Sequence, residues 1–192
     1  MYRLVVIGLS AGGYPLIRQL LGALPKNYPL PVVIVMHFPD REENSLAMLL
    51  DTSTRLHVSM ATDKEVLVSG QVYLAPPGYH LLIEHDLHTG LSFALSVDEP
   101  VKAVRPSIDV LFESAAEALE SDLIAVLLSG ANSDGAEGMA TVKQLGGLGI
   151  VLDPLEAKFS TMPAAAIKRA EVDYIVSMKE IVSLLLSVDE AS

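Results

Sequence analysis

An apolar strand that runs directly into a glycine-rich turn and then a helix constrains the fold more than any other feature. Residues 4–7 are a continuous and mostly β-branched run, typical of a strand buried on both faces. Residues 10–13 form the turn, and the helix predicted over 14–21 has Pro15 suited to its first turn. Such a bend exposes backbone N–H groups, so it suits either a nucleophilic serine or a bound phosphate.

Composition excludes several classes of protein. The 192 residues are 51% hydrophobic and only 5% aromatic, which fits the aliphatic core of a parallel α/β sheet. The sequence shows neither an apolar run near the roughly 20 residues of a membrane span nor a basic leader, so we expect a cytoplasmic protein. Cysteine is absent, which rules out disulfides and thiolate chemistry. The formal net charge of −11 argues against a nucleic-acid partner.

Strand and helix patterns alternate along the rest of the chain. Further strands are predicted at 31–36, 58–61, 71–75, 123–128, 149–152 and 174–176, and helices at 44–50, 107–120, 136–145, 162–168 and 178–186. Two apolar stretches, 80–84 and 91–96, predict an antiparallel hairpin, the one departure from alternation. The pattern predicts one doubly wound, Rossmann-like domain over 1–192, with three α/β/α layers and a mainly parallel sheet.

Polar side chains follow three of the predicted strands, at the end where open α/β sheets place their sites. They are Ser10, His37 and Asp134, the parts of a Ser-His-Asp triad. Histidine titrates near pH 6.5 in model peptides, so an imidazole can take a serine proton at neutral pH while a carboxylate orients it. Simpler interpretations are a helix cap for Ser10, a solvated loop for His37 and a cap of the following helix for Asp134.

The other histidines compete less well for the role of base. His57 lies at the start of a predicted strand, and His85 and His88 lie near the hairpin tip. His80 follows a Pro-Pro-Gly turn and is the reserve candidate. An α/β-hydrolase order would need an early acid such as Asp40 to pair with His80, which leaves the Asp134 loop without a role.

The signals for a dinucleotide or a metal are poor. Ser10 occupies the centre of the turn, and His37 stands where a ribose-binding acid is expected, with Asp40 a weak substitute. His37 and Asp40 form no compact ligand set with the other histidines. We therefore predict no cofactor and no metal.

Six ordered motifs resemble a known family over nearly the whole chain. They are Ile-Gly-Leu-Ser-Ala-Gly-Gly at 7–13, Val-Met-His-Phe at 35–38, Tyr-Leu-Ala-Pro-Pro-Gly-Tyr-His-Leu at 73–81, Arg-Pro-Ser-Ile-Asp-Val-Leu-Phe at 105–112, Leu-Leu-Ser-Gly-Ala-Asn-Ser-Asp-Gly-Ala-Glu-Gly-Met at 127–139 and Met-Pro-Ala-Ala-Ala-Ile at 162–167. Together they resemble the catalytic domain of the chemotaxis protein-glutamate methylesterases, the CheB type.

The resemblance implies a serine hydrolase that acts in chemotaxis signal transduction. Its substrates would be glutamate γ-methyl esters on methylated chemoreceptor helices, hydrolysed with release of methanol, and it would also deamidate receptor glutamine. It implies Ser10 as nucleophile, His37 as base and Asp134 as orienting acid, without a cofactor.

The resemblance also implies an oxyanion hole and a substrate-binding surface. Backbone N–H groups near His37 and at Ala131 are the candidate oxyanion donors. Candidate substrate-binding residues are Arg105 and the turn residues Ala11, Gly12 and Gly13.

Several positions depart from the family pattern. Ala11 replaces Thr, Met36 replaces Gln, and Ala131 replaces Met, a change that keeps the backbone donor. Asn132 replaces Gly, which a left-handed backbone would tolerate.

A further departure concerns control of the enzyme. Family members usually carry an N-terminal phospho-receiver domain, whereas here the first catalytic strand opens the sequence. We therefore expect a stand-alone domain that acts without such control, answers to a separate response-regulator or sensor protein, or has a different target. The alternatives are a non-catalytic receptor- or sensor-binding module of the same fold and a nucleotide-binding domain.

Overall fold

The computed structural model describes residues 1–37 and 43–188. Phe38 and Asp40, named above, lie outside the described residues. The strands are β1 (Leu4–Leu9), β2 (Val32–Met36), β3 (His57–Met60), β4 (Gln71–Leu74), β5 (His80–Asp86), β6 (Gly90–Ser96), β7 (Leu123–Leu127), β8 (Leu148–Leu152) and β9 (Tyr174–Val176). The α-helices are α1 (Tyr14–Ala23), α2 (Glu43–Asp51), α3 (Ile108–Leu119), α4 (Ala136–Gln144), α5 (Thr161–Arg169) and α6 (Met178–Leu186).

Seven strands form one sheet in the order β3-β4-β2-β1-β7-β8-β9, and every neighbouring pair is parallel. This confirms the doubly wound α/β fold. The predicted hairpin is also present, but β5 and β6 form a separate two-stranded sheet. Its apolar residues pack with those of α3 in one core cluster, and Ile83 N donates to Ser114 Oγ at 3.1 Å.

The central strand β1 is buried along its whole length because helices cover both faces of the sheet. Leu4 and Val6 belong to the core cluster that also contains residues of α3, α4 and α5. Val5, Ile7 and Leu9 belong to the opposite cluster, with residues of α1 and α6. This two-sided burial explains why the strand has no polar alternation.

The register of the sheet brings the ends of β2 and β1 to one level. Leu9 pairs with Met36, so Ser10 and His37 each follow directly after a paired residue. Leu9 and Met36 pack in the cluster on the opposite face, so the alternation of side chains predicts that Ser10 and His37 leave on the face that α3 covers. Gly8 lets α3 come close, since a Cβ there would contact Ile108 and lie 2.8 Å from Leu127 Cδ1.

Candidate active site

The carboxyl ends of β2 and β7 bring His37 and Asp134 into contact. His37 Nε2 lies 3.0 Å from Asp134 Oδ2, although 97 residues separate the two along the chain. The Asp134 side chain is fully buried and that of His37 is only 13% exposed, so His37 is not a solvated loop residue. An ionised carboxylate only accepts hydrogen bonds, so the nitrogen that faces it carries the proton. The contact therefore selects the Nε2–H tautomer of the neutral imidazole.

The first turn of α3 holds the Asp134 carboxylate. Ser107 Oγ donates to Oδ1 at 2.8 Å, Ile108 N donates to Oδ2 at 2.7 Å, and Asp109 N donates to Oδ1 at 3.1 Å. Amides at a helix N-terminus lack intrahelical partners and favour negative charge. Asp134 thus caps α3, whereas the N-cap of the following helix, α4, is Gly135.

Asp134 remains ionised at neutral pH despite its burial. Desolvation alone raises the pKa of a buried carboxyl group, because it penalises the charged form. The hydrogen bonds from His37 and from the first residues of α3 outweigh this effect and lower the pKa of Asp134 to about 2. The carboxylate is therefore a fixed negative charge next to the imidazole.

The second ring nitrogen of His37, Nδ1, is buried and has no hydrogen-bond partner within residues 1–37 and 43–188. With Nε2 protonated, Nδ1 carries a lone pair and can accept a proton. Ser10 directly follows the neighbouring strand β1, and its backbone is fixed by the bond from Ser10 N to Ser129 O at 2.9 Å. The three predicted residues thus lie at the ends of three adjacent strands, and a hydrogen bond joins two of them.

The two candidate oxyanion donors differ in availability. His37 N donates to Leu9 O at 3.2 Å, which continues the β1–β2 ladder and uses its only N–H. The amide of Ala131 makes no hydrogen bond to any described residue, and Ala131 is exposed. In this conformation, Ala131 therefore has the free donor and the His37 backbone does not.

The turn after Ser10 is tied to neighbouring segments. Ala11 O accepts from Ser129 Oγ at 2.9 Å, and Gly13 is buried. Gly12 has φ +74°, and a Cβ there would lie 2.9 Å from Lys158 Cβ. Protein atoms rather than open space thus lie against the turn at Gly12, which disfavours a phosphate cradle there.

Arg105 makes contacts that fix a loop. One guanidinium nitrogen, NH1, donates to Val97 O at 2.8 Å and to Asp98 O at 2.9 Å. These bonds tie the segment after β6 to the segment before α3. A contact between Arg105 and substrate stays a prediction.

The reserve base, His80, has a structural position. It is 2% exposed, its Nδ1 accepts from Ser107 N at 3.2 Å, and its Nε2 donates to Glu99 O at 3.1 Å. Both ring nitrogens are engaged, so His80 supports the cap of α3 and has no nitrogen available for proton transfer. His57, by contrast, pairs with Asp51 at 3.2 Å in an exposed position at the start of β3.

The loop of residues 129–135, which carries Asp134, is held in a way that the sequence did not indicate. Asn132 does not have the positive φ of the left-handed conformation in which Asn would be tolerated in place of Gly. Its Oδ1 instead accepts from Asp134 N at 3.2 Å, as in an Asx turn, and this bond helps to hold the loop. The sequence identified Ser107 as a helix cap. No local pattern indicated that the first turn of α3 binds the carboxylate of Asp134, which follows β7 in the chain.

Within the described part of the chain, no three His, Asp or Glu side chains are grouped so as to hold a metal ion. The helices in that part are also too short or too polar to cross a membrane.

Comparison with known proteins identifies the family. A family model for CheB methylesterase matches residues 5–185. A protein of Leptospira interrogans is 44% identical over 189 residues, which cover 98% of this chain and 96% of that protein. A Thermotoga maritima protein named protein-glutamate methylesterase/protein-glutamine glutaminase is 36% identical over 184 residues, which cover 96% of this chain and 53% of that protein.

The fold also agrees with that of a solved structure. The crystal structure of the Thermotoga maritima CheB methylesterase catalytic domain matches with a TM-score of 0.93 and 35% sequence identity. The match covers 98% of this chain and 99% of that one. This chain therefore belongs to the CheB methylesterase family.

Proposed function

We propose that this protein hydrolyses glutamate γ-methyl esters in chemoreceptor proteins, with release of methanol, through a covalent serine intermediate. The observation that carries the proposal is the His37–Asp134 hydrogen bond, which leaves Nδ1, at the strand end beside Ser10, without a partner among the described residues. The names of relatives such as the Thermotoga maritima protein support this choice of substrate.

The first half of the reaction forms an acyl-enzyme. Ser10 Oγ attacks the ester carbonyl carbon while His37 Nδ1 takes the hydroxyl proton. Asp134 keeps the ring oriented through Nε2–H and stabilises the imidazolium, and it takes no proton itself because its pKa is about 2. The C–O bond of the tetrahedral intermediate then breaks, and the methoxy group leaves as methanol with the proton from the imidazolium.

The second half returns the free enzyme. A water molecule gives a proton to His37 Nδ1 and attacks the carbonyl carbon of the Ser10 ester. The new tetrahedral intermediate expels Ser10 Oγ, which regains its proton from the imidazolium. The products are the glutamate carboxylate on the receptor and a proton in solution. The same steps on a glutamine side chain release ammonia instead of methanol, which is the proposed glutaminase activity.

Backbone amides stabilise the oxyanion in this proposal. The N–H of Ala131 has no partner among the described residues and belongs to the loop that ends at Asp134. The N–H of Ala11, directly after the nucleophile, is likewise unpaired within that part of the chain. Two such donors match the usual composition of an oxyanion hole.

The remaining assignments follow from the same proposal. The substrate would be the methylated helices of chemoreceptors in the cytoplasm, with no nucleic-acid partner. A separate response-regulator or sensor protein would control the activity. The assignment of residues 1–192 to one methylesterase domain also stays a prediction.

Methanol release from a purified methylated chemoreceptor tests the proposal. Wild-type protein is expected to release methanol, and Ser10→Ala is expected to release none while it retains its circular dichroism spectrum. Ser183→Ala, which changes an exposed serine of α6, is the matched control and should keep full activity.

A serine-reactive phosphonate separates the alternatives. Labelling at Ser10 by mass spectrometry, together with methanol release, supports the proposed enzyme. Labelling without methanol release would indicate another ester substrate, and a protein that neither reacts nor releases methanol would be a non-catalytic module.

A further inference from the structure

Asp109 is a second buried carboxylate beside Asp134, and the chemistry proposed above does not use it. Its side chain is 3% exposed, and its Oδ1 accepts from Gly138 N of α4 at 2.9 Å. Burial raises the pKa of Asp109, the bonds from Gly138 and Lys102 act against this rise, and the charge of Asp134 adds to it. Two neighbouring buried carboxylates repel each other, so a cation close to them favours their ionised forms.

Lys102 supplies that cation and also contacts the loop of residues 129–135, which carries Asp134. Its Nζ lies 2.7 Å from Asp109 Oδ2 and donates to Ser133 O at 3.0 Å. Ser133 directly precedes Asp134. One ammonium group therefore links α3, which holds the Asp134 carboxylate, to the backbone that carries Asp134.

The backbone of Lys102 has an unfavourable conformation, which directs its side chain towards Asp109 and Ser133. Lys102 and Ala103 have φ +48° and +63°, and Val104 N donates to Val101 O at 2.9 Å across the turn. Turns with two such residues favour Gly, Asn or Asp, and neither residue is of these types. Strained conformations of this kind persist only where surrounding contacts impose them, and they cluster at functional sites.

We propose that Lys102 is a positioning residue, whose ammonium holds Asp109 and the Ser133 carbonyl together and thereby fixes Asp134 against His37. The proposal rests on the proposed function insofar as Asp134 and His37 act in hydrolysis. Loss of the ammonium would leave Ser133 O with one longer hydrogen bond, from Ala136 N at 3.3 Å, and would loosen the backbone before Asp134 together with the loop that carries the oxyanion donor of Ala131. Displacements of about 1 Å in such groups cost on the order of a hundredfold in rate.

Lys102→Met tests the proposal, with Lys64→Met as the matched control. Lys64 also has a positive φ, +62°, and also forms an ion pair at 2.7 Å, but with the exposed Glu84 of the hairpin. We expect Lys102→Met to lower kcat for methanol release by about tenfold or more with KM changed by less than about threefold. Lys64→Met should stay within about twofold of wild type, and Lys102→Arg should restore most of the rate because it keeps the cation.

The ring ¹⁵N chemical shifts of His37 provide a readout that does not depend on hydrolysis. We expect the Nε2–H tautomer in wild type and in Lys64→Met, and a mixture of tautomers in Lys102→Met. If wild type releases no methanol but Lys102→Met still changes the tautomer, the proposed function fails and the positioning role stands. If Lys102→Met matches Lys64→Met in both kcat and tautomer, the positioning role is wrong whatever the substrate.

A double variant covers the case in which Lys102→Met leaves Asp109 uncompensated and does not fold. Lys102→Met/Asp109→Asn removes both charges of the pair, but Ser133 O still loses its bond from Lys102 and keeps only the longer one from Ala136 N. A lowered kcat and a mixed tautomer in this folded variant support the proposal. A wild-type kcat and tautomer would overturn it, because neutralising Asp109 would then be the whole role of Lys102.

Discussion

Ile108 N and His37 Nε2 converge on a single carboxylate oxygen, Asp134 Oδ2, at 2.7 and 3.0 Å. The first amide of α3 and the proposed catalytic base therefore share one acceptor. A shift of the N-terminus of α3 would move Asp134 Oδ2 and thereby change its hydrogen bond to the imidazole. The packing of α3 is therefore relevant to catalysis as well as to stability.

Asp134→Asn removes the negative charge of this side chain but nearly keeps its shape, so it tests the role of the charge. In Asp134→Asn the negative charge beside the His37 ring is lost, and one of the two oxygen positions becomes an NH₂ group that cannot accept a hydrogen bond. We expect kcat to fall by about 10³- to 10⁴-fold, as for comparable triad changes. Asp51→Asn disrupts a second aspartate–histidine pair, the exposed one with His57, and should leave kcat unchanged. Equal rates for the two variants would contradict the proposed role of Asp134.

The pH dependence of stability should show the lowered pKa of Asp134. Its pKa of about 2 lies below the ordinary value of 3.8, so the ionised form stabilises the native state. The contribution is fully present above about pH 4 and is lost as the pH falls towards 2. Urea denaturation of wild type and Asp134→Asn at several pH values should show a difference in unfolding free energy that shrinks across this range. A difference that is constant from pH 5 to about pH 2 would argue against the shift.

Two glycine substitutions should have opposite effects on stability. A Cβ on Gly8 would contact Ile108 and lie 2.8 Å from Leu127 Cδ1, so Gly8→Ala should cost about 1–3 kcal/mol and lower kcat by displacing α3. A Cβ on Gly22, near the end of α1, would lie 3.5 Å from Ser53 O, an ordinary contact. Gly22→Ala should therefore stabilise by about 0.5–1 kcal/mol through helix propensity. Thermal denaturation and the methanol assay measure both effects.

A double variant identifies the origin of the Gly8 effect. Combining Gly8→Ala with Ile108→Ala removes part of the overlap, so the two destabilisations should sum to more than the double variant shows. Strict additivity would mean that Gly8 matters for another reason.

His80 should contribute to stability but not to proton transfer. His80→Ala leaves the buried Ser107 N without its acceptor, which should cost about 1–3 kcal/mol of unfolding free energy. The shape of the pH–kcat profile should stay that of wild type, because His37 remains the base. A profile that loses its acidic limb in His80→Ala would instead make His80 the base.

The predictable parts of this protein are those that depend on local pattern. Continuous apolar runs identified strands such as β1 and β7, and parallel neighbours bring their carboxyl ends to one edge, so Ser10, His37 and Asp134 followed as a set. The capping role of Ser107 followed from its residue type and from the proline before it. Each of these inferences needs only a few consecutive residues.

The contacts that complete the site needed the folded chain. The α3 turn meets Asp134 only because α3 packs across β1, and the absence of a side chain at Gly8 permits that approach. Lys102 reaches Ser133 from a turn whose conformation runs against the preferences of its own residues. No spacing rule relates positions that a crossover connection brings together, so these partners could not be found from the sequence.

The distribution of the three residues over β1, β2 and β7 has a consequence for refolding. β1 pairs with both of the other strands, and the contact between His37 and Asp134 closes a loop of 97 residues. Such long-range pairing is slow to form, so the helices and the local hairpin would form first, before the active site is assembled. Recovery of esterase activity after dilution from denaturant would therefore measure the formation of the complete central sheet. Partly folded species would have no activity in that assay.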